Sequence, residues 1–386
     1  MVTRTSEDER KQIVNMVREF VKRDVEPIAS AYDNDDIYPH ELIPKLQELG
    51  LFGITIPIEY GGMELDFTTF AMIFEEISKG WMSLSGIIGT HHVLSHIVST
   101  YGTDEQKERI LPRMATGELR GGLALTEPDA GSDAQNISTT AHKDGEEYVI
   151  NGRKMFISNG ENGNVFALMA KTNLEANPAH LGISCFIFEK PVDGFKVGQH
   201  IDKLGYRGID TCELLFDDCR IPIENLIGGQ EGRGFHHVMA GLETGRINVA
   251  ARAVGVAQAA FDAAIEYSQK RHTFGKPISD HQAIQLKLAE MASKIHAARL
   301  MVYDAAEKKD LGERNDLETA MAKLFASEVC GEVAMEAMRV HGGVGYTKEL
   351  PIERYYRDAP LMIIGEGTNE IMKLLIAKRL LQNYAI

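Results

Sequence analysis

Cysteine is scarce in this chain. The four residues present among 386 (Cys185, Cys212, Cys219 and Cys330) form no C-x-x-C pair and lack the dense spacing of a secreted disulfide framework, so reduced structural thiols are expected. Positive charge is also short, with 41 lysines and arginines against 56 aspartates and glutamates and a net charge of −15. That balance excludes nucleic acid as the expected partner but leaves a polyphosphate ligand open, because helix N-termini and a few arginines hold an anion even on an acidic protein. No window reaches the roughly 18 apolar residues that a membrane span requires. The start, Met1 to Arg10, is too acidic for a transit peptide and has no signal-peptide core. The chain therefore reads as cytoplasmic, or as a processed protein of the mitochondrial matrix.

What is present is a sequence of three textures with no linker or low-complexity stretch, long enough for two or three domains at about 150 residues each. Over residues 1–120 the spacing is helical: Ile13, Met16, Val17, Phe20 and Val21 share one stripe, and Phe70, Ile73, Phe74 and Ile77 another, with a break at Pro57 and Gly61-Gly62. Over 121–235 short β-rich runs, 147–150, 165–169 and 183–188, are separated by Asp144-Gly145, Asn151-Gly152 and Asp193-Gly194, which read as hairpin turns. Over 236–386 helices return, with stripes through Ile247, Ala250, Val254, Ala257, Phe261 and Ile265, through Ile284, Leu288, Met291 and Ile295, and over 317–340 and 369–381. The expected fold is α+β: an N-terminal α-helical domain, a middle antiparallel β-barrel or sandwich, and a C-terminal four-helix bundle.

Gly365-Glu366-Gly367-Thr368 is the most informative run. The glycines let backbone approach a ligand closely, and Thr368 is a good N-cap for the helix that follows, so Glu366 hangs at a helix mouth. A lone glutamate there is equally a solvated loop residue. Two further segments bear on it. Leu123 to Asp133, containing Leu125, Thr126, Gly131 and Ser132, is a loop of small fixed donors able to grip a polar ring edge, though a bare T-E-P is ordinarily a plain turn. Lys154 to Gly160 sets Phe156, Ile157 and Ser158 at a strand end, where Phe156 alone is a core residue and the set covers an aromatic ligand.

These segments, together with Arg271-His272-Thr273-Phe274-Gly275-Lys276, His281-Gln282-Ala283-Ile284, Val340-His341-Gly342-Gly343 and Glu366-Gly367-Thr368, occur in the order found in acyl-CoA dehydrogenases, which the chain resembles from about residue 8 to 383. The resemblance implies non-covalent FAD between the β domain and the C-terminal helices, with acyl-CoA on its other face. Glu366 matches the base that removes the α proton while the β hydrogen leaves as hydride to flavin N5, giving a trans-2-enoyl-CoA. Such a base needs a pKa above the ordinary value of about 4.3, which burial provides. Its backbone N–H matches one half of the oxyanion hole for the thioester carbonyl.

By the same resemblance, Leu123, Leu125, Thr126, Gly131, Ser132, Phe156, Ile157 and Ser158 match flavin-binding positions. Thr126 matches the pyrimidine-edge contact, Ser158 the hydroxyl near N5 and Phe156 the packed aromatic, usually tryptophan. Arg271, Thr273, Phe274 and Gln282 match residues that reach the FAD of a neighbouring subunit, implying a homotetramer. Arg339, Val340, Gly342 and Gly343 match the pyrophosphate region, with Arg339 where many members have glutamine. Thr368 and Glu370 match positions near the adenosine. Ser132, Glu243, Arg246 and Gly367 match substrate-binding positions. Some members carry the base directly before the arginine matched by Arg246; here that position is Gly245, so Glu243 is expected to be a ligand or structural carboxylate. Arg246 equally suits a surface pair with Glu243.

Glutaryl-CoA dehydrogenases place an arginine near Trp81-Met82-Ser83, and Met82 cannot bind a distal carboxylate, which favours a short- to medium-chain or branched monocarboxylic acyl-CoA. His91 and His92 suit packing; a cationic histidine facing the cavity would favour a dicarboxylic group. Electron-transferring flavoprotein is the implied acceptor. The alternatives are a cyclic or dicarboxylic substrate, an acyl-CoA oxidase, and a non-catalytic acyl-CoA-binding relative.

Overall fold

In the computed structural model, residues 5–384 are described; Met1 to Arg4, Ala385 and Ile386, and the part of the targeting-signal reading that rests on them, lie outside the described residues. The chain opens with helix α1 (Glu7–Phe20), which begins where Ser6 and Glu9 form a capping box and passes through a π-turn, Val21–Val25, into α2 (Glu26–Asp35). Short α3 (Ile43–Glu48) leads to α4 (Phe67–Gly80), capped by Asp66, then α5 (Met82–Tyr101) and α6 (Asp104–Ala115), started by a Thr103/Gln106 capping box.

Strands β1 (Gly121–Ala124), β2 (Thr140–Asp144), β3 (Glu147–Ser158), β4 (Val165–Lys171), β5 (Ile183–Glu189), β6 (Phe195–His200) and β7 (Thr211–Pro222) form one seven-stranded sheet, ordered β1-β4-β2-β3-β7-β6 with β5 also on β4. The sheet is mostly antiparallel, but β1 runs parallel to β4 in the register Gly121↔Val165 to Ala124↔Leu168, a departure from the all-antiparallel expectation. A parallel neighbour needs a long crossover, which the loop after β1 and the β2–β3 hairpin supply. Asp144-Gly145 does turn that hairpin. Asn151-Gly152 does not turn: it lies inside β3, where the register slips between Ile150 and Gly152 against β7. Gly152 has φ +146°, and a Cβ there would meet Thr139 Oγ1 at 2.5 Å, so a bulge produced the hairpin-like signal. Asp193-Gly194 joins β5 to β6, which do not pair with one another.

The last third holds α7 (Gly234–Lys270), the two-residue strands β8 (His272–Thr273) and β9 (Lys276–Pro277), α8 (Gln282–Asp310), α9 (Asp316–His341), α10 (Ile352–Ile364) and α11 (Asn369–Asn383). The four-helix expectation thus lacks one element, α10, whose Pro360 and charged run Glu353 to Asp358 mask an otherwise amphipathic helix. One hydrophobic core runs from Val17, Phe70 and Trp81 through Val254 and Ala260 to Val333 and Met362. The helices before and after the sheet therefore bury their apolar faces against each other. Close approach of α4 and α7 depends on Gly255, where a Cβ would stand 2.3 Å from the Glu75 carbonyl oxygen. Arg299 and Tyr303 of α8 then clasp the Glu75 carboxylate at 2.8 Å and 3.0 Å.

Candidate active site

Helix α10 ends where Gly365 N–H donates to Leu361 O at 2.7 Å, and α11 starts where Thr368 Oγ1 accepts from Ile371 N–H at 3.4 Å. Between these stops the chain turns through left-handed backbone at Glu366 (φ +54°) and Gly367 (φ +93°). A non-glycine residue held there is strained, and such strain persists where surrounding contacts over-determine it. Lys323 of α9 provides those contacts. Its side chain is 0 % exposed, and Nζ donates to Gly367 O at 2.8 Å, Ile363 O at 3.1 Å and Asn369 Oδ1 at 2.9 Å. Asn369 Nδ2 in turn donates to Ser327 Oγ and Glu328 Oε1 at 3.0 Å and 2.9 Å. A lysine at core spacing between Ala320 and Ala326 was the available sequence signal for this clamp.

The turn aims the Glu366 carboxylate at α7. A Cβ on Gly245 would stand 1.6 Å from Glu366 Oε2, so position 366 and position 245, the two places where the resemblance leads one to look for a base, meet at one point in space. Glu366 is half-buried as a residue, while Oε2 is sealed and has no hydrogen-bond partner. Burial pushes its carboxyl up to about 7, against the opposing fields of Arg252, Arg246 and Lys323. A carboxylate with an unpartnered oxygen and near-neutral basicity is a proton acceptor in waiting.

Arg246 is buried, not a surface residue, and its Nε has no partner. Glu243, one turn earlier, is partly buried, and burial raises its pKa. His91 and His92 are fully buried, each Nε2 lying 3.0 Å from a backbone oxygen, of Phe52 and Leu51 respectively. Burial lowers them to about 3 and about 4, so neither is a cation at neutral pH and the packing reading stands. Met82 is likewise core.

Across from Glu366 lies the rim of the sheet. A second bulge in β3, between Lys154 and Ile157, throws Phe156 outward with φ +60° and 60 % exposure. Thr126 and Ser158 are half-buried beside it, and Thr126 O accepts from Met155 N–H at 2.8 Å. Ser158 contacts the Tyr206 phenol. The Leu123–Ser132 loop is pinned by a pair that the motif reading did not interpret. Glu127 Oε1 and Lys154 Nζ meet at 2.7 Å, both buried, and Glu127 also accepts from Ser138 Oγ (2.6 Å) and Thr139 N–H (3.0 Å). Burial pushes Glu127 up, but Lys154 and these donors prevail and hold it at about 2. An exposed aromatic out of the core, two hydroxyls and a rigid loop fit a flat ring with a polar edge, as FAD presents. Ile157 and Leu125 are buried behind them, while Ser132 and Gly131 are exposed on the loop.

The remaining predicted positions form a separate cluster. Phe274 and Gly275 turn the β8–β9 hairpin at φ +52° and +80°, leaving Phe274 96 % exposed beside exposed Arg271; Thr273 Oγ1 lies 3.1 Å from His281 Nε2, next to exposed Gln282. Tyr267, in the last turn of α7 just before this hairpin, stacks on His341 at 4.4 Å, next to Val340, Gly342 and Gly343 at the end of α9. Arg339 pairs with Glu336 there. Arg271 lies 26 residues along the chain from Gly245, roughly 39 Å at 1.5 Å per residue. The hairpin and the Glu366 region of one chain are therefore two separate regions, not one. Thr368 is half-buried and Glu370 exposed at the start of α11.

Comparison with known proteins gives a consistent result. Family models described as acyl-CoA dehydrogenase N-terminal, middle and C-terminal domains match residues 7–118, 122–219 and 232–381. An acyl-CoA dehydrogenase of Bacillus subtilis (strain 168) is 41% identical over 374 residues, covering 97% of this chain and 98% of that one. The butyryl-CoA dehydrogenase of Megasphaera elsdenii superposes with a TM-score of 0.95 at 37% identity, covering 98% of this chain and 99% of that one. A chain solved in work on the electron transferring flavoprotein of Acidaminococcus fermentans and flavin-based electron bifurcation superposes at 0.94 with 41% identity, covering 99% and 100%.

Proposed function

The chain belongs to the acyl-CoA dehydrogenase family of FAD-dependent flavoprotein oxidoreductases, and from that premise we propose that it removes the α and β hydrogens of a short acyl-CoA with Glu366 as the base. The observation that carries this reading is the Glu366 carboxylate pressed onto Gly245 with its Oε2 unpartnered. Glu366 takes the α proton of the thioester, and Arg252, Arg246 and Lys323 moderate the cost of its charge once ionised. Lys323 keeps the turn rigid, so the oxygen need not reorganise as the proton moves. Thr126, Phe156 and Ser158 would hold FAD, which when bound would supply the acceptor for the β hydrogen as hydride, and the product would be a trans-2-enoyl-CoA. The likeness to a butyryl-CoA dehydrogenase supports a short straight or branched chain.

The separation of the two regions supports an oligomer, a tetramer in our reading, in which Arg271, Thr273, Phe274 and Gln282 of one chain complete the FAD site of another. Arg339, Val340, Gly342, Gly343, Thr368 and Glu370 hold its pyrophosphate and adenosine, and Ser132, Glu243, Arg246 and Gly367 line the CoA path. We assign electron-transferring flavoprotein as acceptor, supported by the solved relative from that system, and the cytoplasm as the location, in keeping with four free buried thiols. Among the described residues no helix is long and apolar enough to cross a membrane. The test is anaerobic: butyryl-CoA bleaches the flavin of the purified holoenzyme, and Glu366→Gln retains FAD and acyl-CoA binding but bleaches at least about 1000-fold more slowly. Unchanged bleaching in that variant overturns the assignment.

A further inference from the structure

Along one face of α7, at successive i, i+4 positions, stand Thr244, Asn248 and Arg252. All three are buried, Asn248 to 1 % and Arg252 to 4 % exposure. Each carries polar atoms without a partner: Thr244 Oγ1, both amide atoms of Asn248, and Arg252 Nε. Buried polar groups are ordinarily satisfied, and a run of unsatisfied ones is a signature of a site built for a ligand's atoms. The guanidinium of Arg252 lies over the Tyr206 ring, 4.9 Å from its centroid, and the Tyr206 phenol reaches Ser158.

The backbone has been cut away to admit these groups. On α5, a Cβ at Gly86 would stand 1.8 Å from the Tyr206 hydroxyl, and one at Gly89 would stand 2.3 Å from Asn248 Nδ2. Tyr206 is itself fixed in left-handed backbone (φ +57°) by its N–H bond to Asp358 Oδ1 at 2.6 Å. The polar wall so formed adjoins Glu366, whose carboxylate feels Arg252 more strongly than any other cation. Arg252 is two turns beyond Gly245, and a helical side chain leans toward the helix N-terminus, so its guanidinium returns toward the base.

The geometry points to Arg252, with Asn248 and the Tyr206 hydroxyl, as a receptor for a carboxylate at the far end of the acyl group, making the substrate a short dicarboxylic mono-CoA thioester. The cation that Met82 does not supply from α5 comes from α7 instead. This narrows, and rests on, the dehydrogenase reading above. A carboxylate seated there supplies acceptors for Arg252 and Asn248 together, and by neutralising Arg252 it removes a cation from beside the base when substrate arrives.

The discriminating experiment uses Glu366→Gln holoenzyme, in which binding is separated from turnover, and perturbation of the flavin spectrum by paired ligands: glutaryl-CoA against its distal methyl ester and against valeryl-CoA, with the succinyl/butyryl and adipoyl/hexanoyl pairs alongside. The free acid of at least one pair is expected to bind about 30-fold or more tightly than both neutral partners, the scale of a buried charge contact, and wild-type bleaching is expected to follow the same order. Arg252→Gln should abolish the preference, and Arg252→Lys should keep part of it. Equal or tighter binding of the neutral partners in every pair overturns the inference while leaving the dehydrogenase reading intact. Failure of every acyl-CoA to bleach the wild-type flavin overturns both. The acid-against-ester comparison decides even if the Arg252 variants do not fold.

Discussion

At the scale of single residues the proposed chemistry turns on one oxygen. Glu366 Oε2 has no partner because α7 offers it only Gly245, and any side chain added there must evict it. Gly245→Ala is expected to displace the carboxylate and lower kcat by about 10- to 100-fold with FAD content unchanged; unaltered turnover would show that the base has room to spare. The raised pKa sets a pH profile. With a free-enzyme value of about 7, kcat/KM should rise about tenfold per pH unit on the acid side and level off above neutrality. The same shift works against the fold. A carboxyl whose pKa is raised by folding contributes stability below about pH 4.5 and loses it as pH climbs through 7. Glu366→Gln should therefore gain melting temperature over wild type at pH 8 but not at pH 4. Lys323→Met strips the donor from Gly367 O, Ile363 O and Asn369 Oδ1 and should cost on the order of 2–4 kcal/mol in chemical unfolding, with a fall in kcat larger than any change in KM.

At the scale of elements, two irregularities in β3 do what a regular strand cannot. The bulge between Lys154 and Ile157 turns Phe156 away from the core, to the side where the proposed flavin ring would lie. The buried Glu127–Lys154 pair then fixes the neighbouring loop to the same strand. Breaking a buried pair from one side leaves an uncompensated charge, so Lys154→Met should destabilise by about 3–5 kcal/mol and shed FAD, whereas Arg153→Met, on an exposed neighbour, should do neither. Differential scanning with and without added FAD measures both effects. The β8–β9 hairpin is the other element out of place in a lone subunit, with Phe274 at its tip almost wholly exposed and in strained backbone.

At the scale of the molecule, the helical segments on either side of the sheet are one body around a shared core. The sheet is docked to it by α5, where Asn159 Nδ2 donates to Ile87 O and Thr90 Oγ1 at 3.0 Å and 2.9 Å. The Phe274 hairpin and Glu366 stand at distant points of this body, so in the oligomer proposed above flavin retention is a property of the assembly. Arg271→Ala is expected to lower FAD occupancy and shift the oligomer toward smaller species on dilution and gel filtration; full occupancy in a variant that still assembles would refute the shared site.

Helical and strand textures, the cap at Thr368 and the Gly-Glu-Gly turn were legible in the sequence because each depends on neighbours a few residues away. So was the ordered set of motifs that marks the family. What the sequence could not reveal is what depends on approach between distant segments. Asn151-Gly152 is a bulge and not a turn because Thr139 and β7 hold it so. Lys323 stands at core spacing on its helix, but that it meets the carbonyls of residues 363 and 367 was decided only by the fold. Arg252, Tyr206 and Asn248 became one polar wall only through the two glycines of α5 that admit them. Local propensity and period determined the elements; burial, which sets both the basicity of Glu366 and the unmet polarity beside it, was decided by the tertiary fold alone, since desolvation belongs to no residue until others surround it.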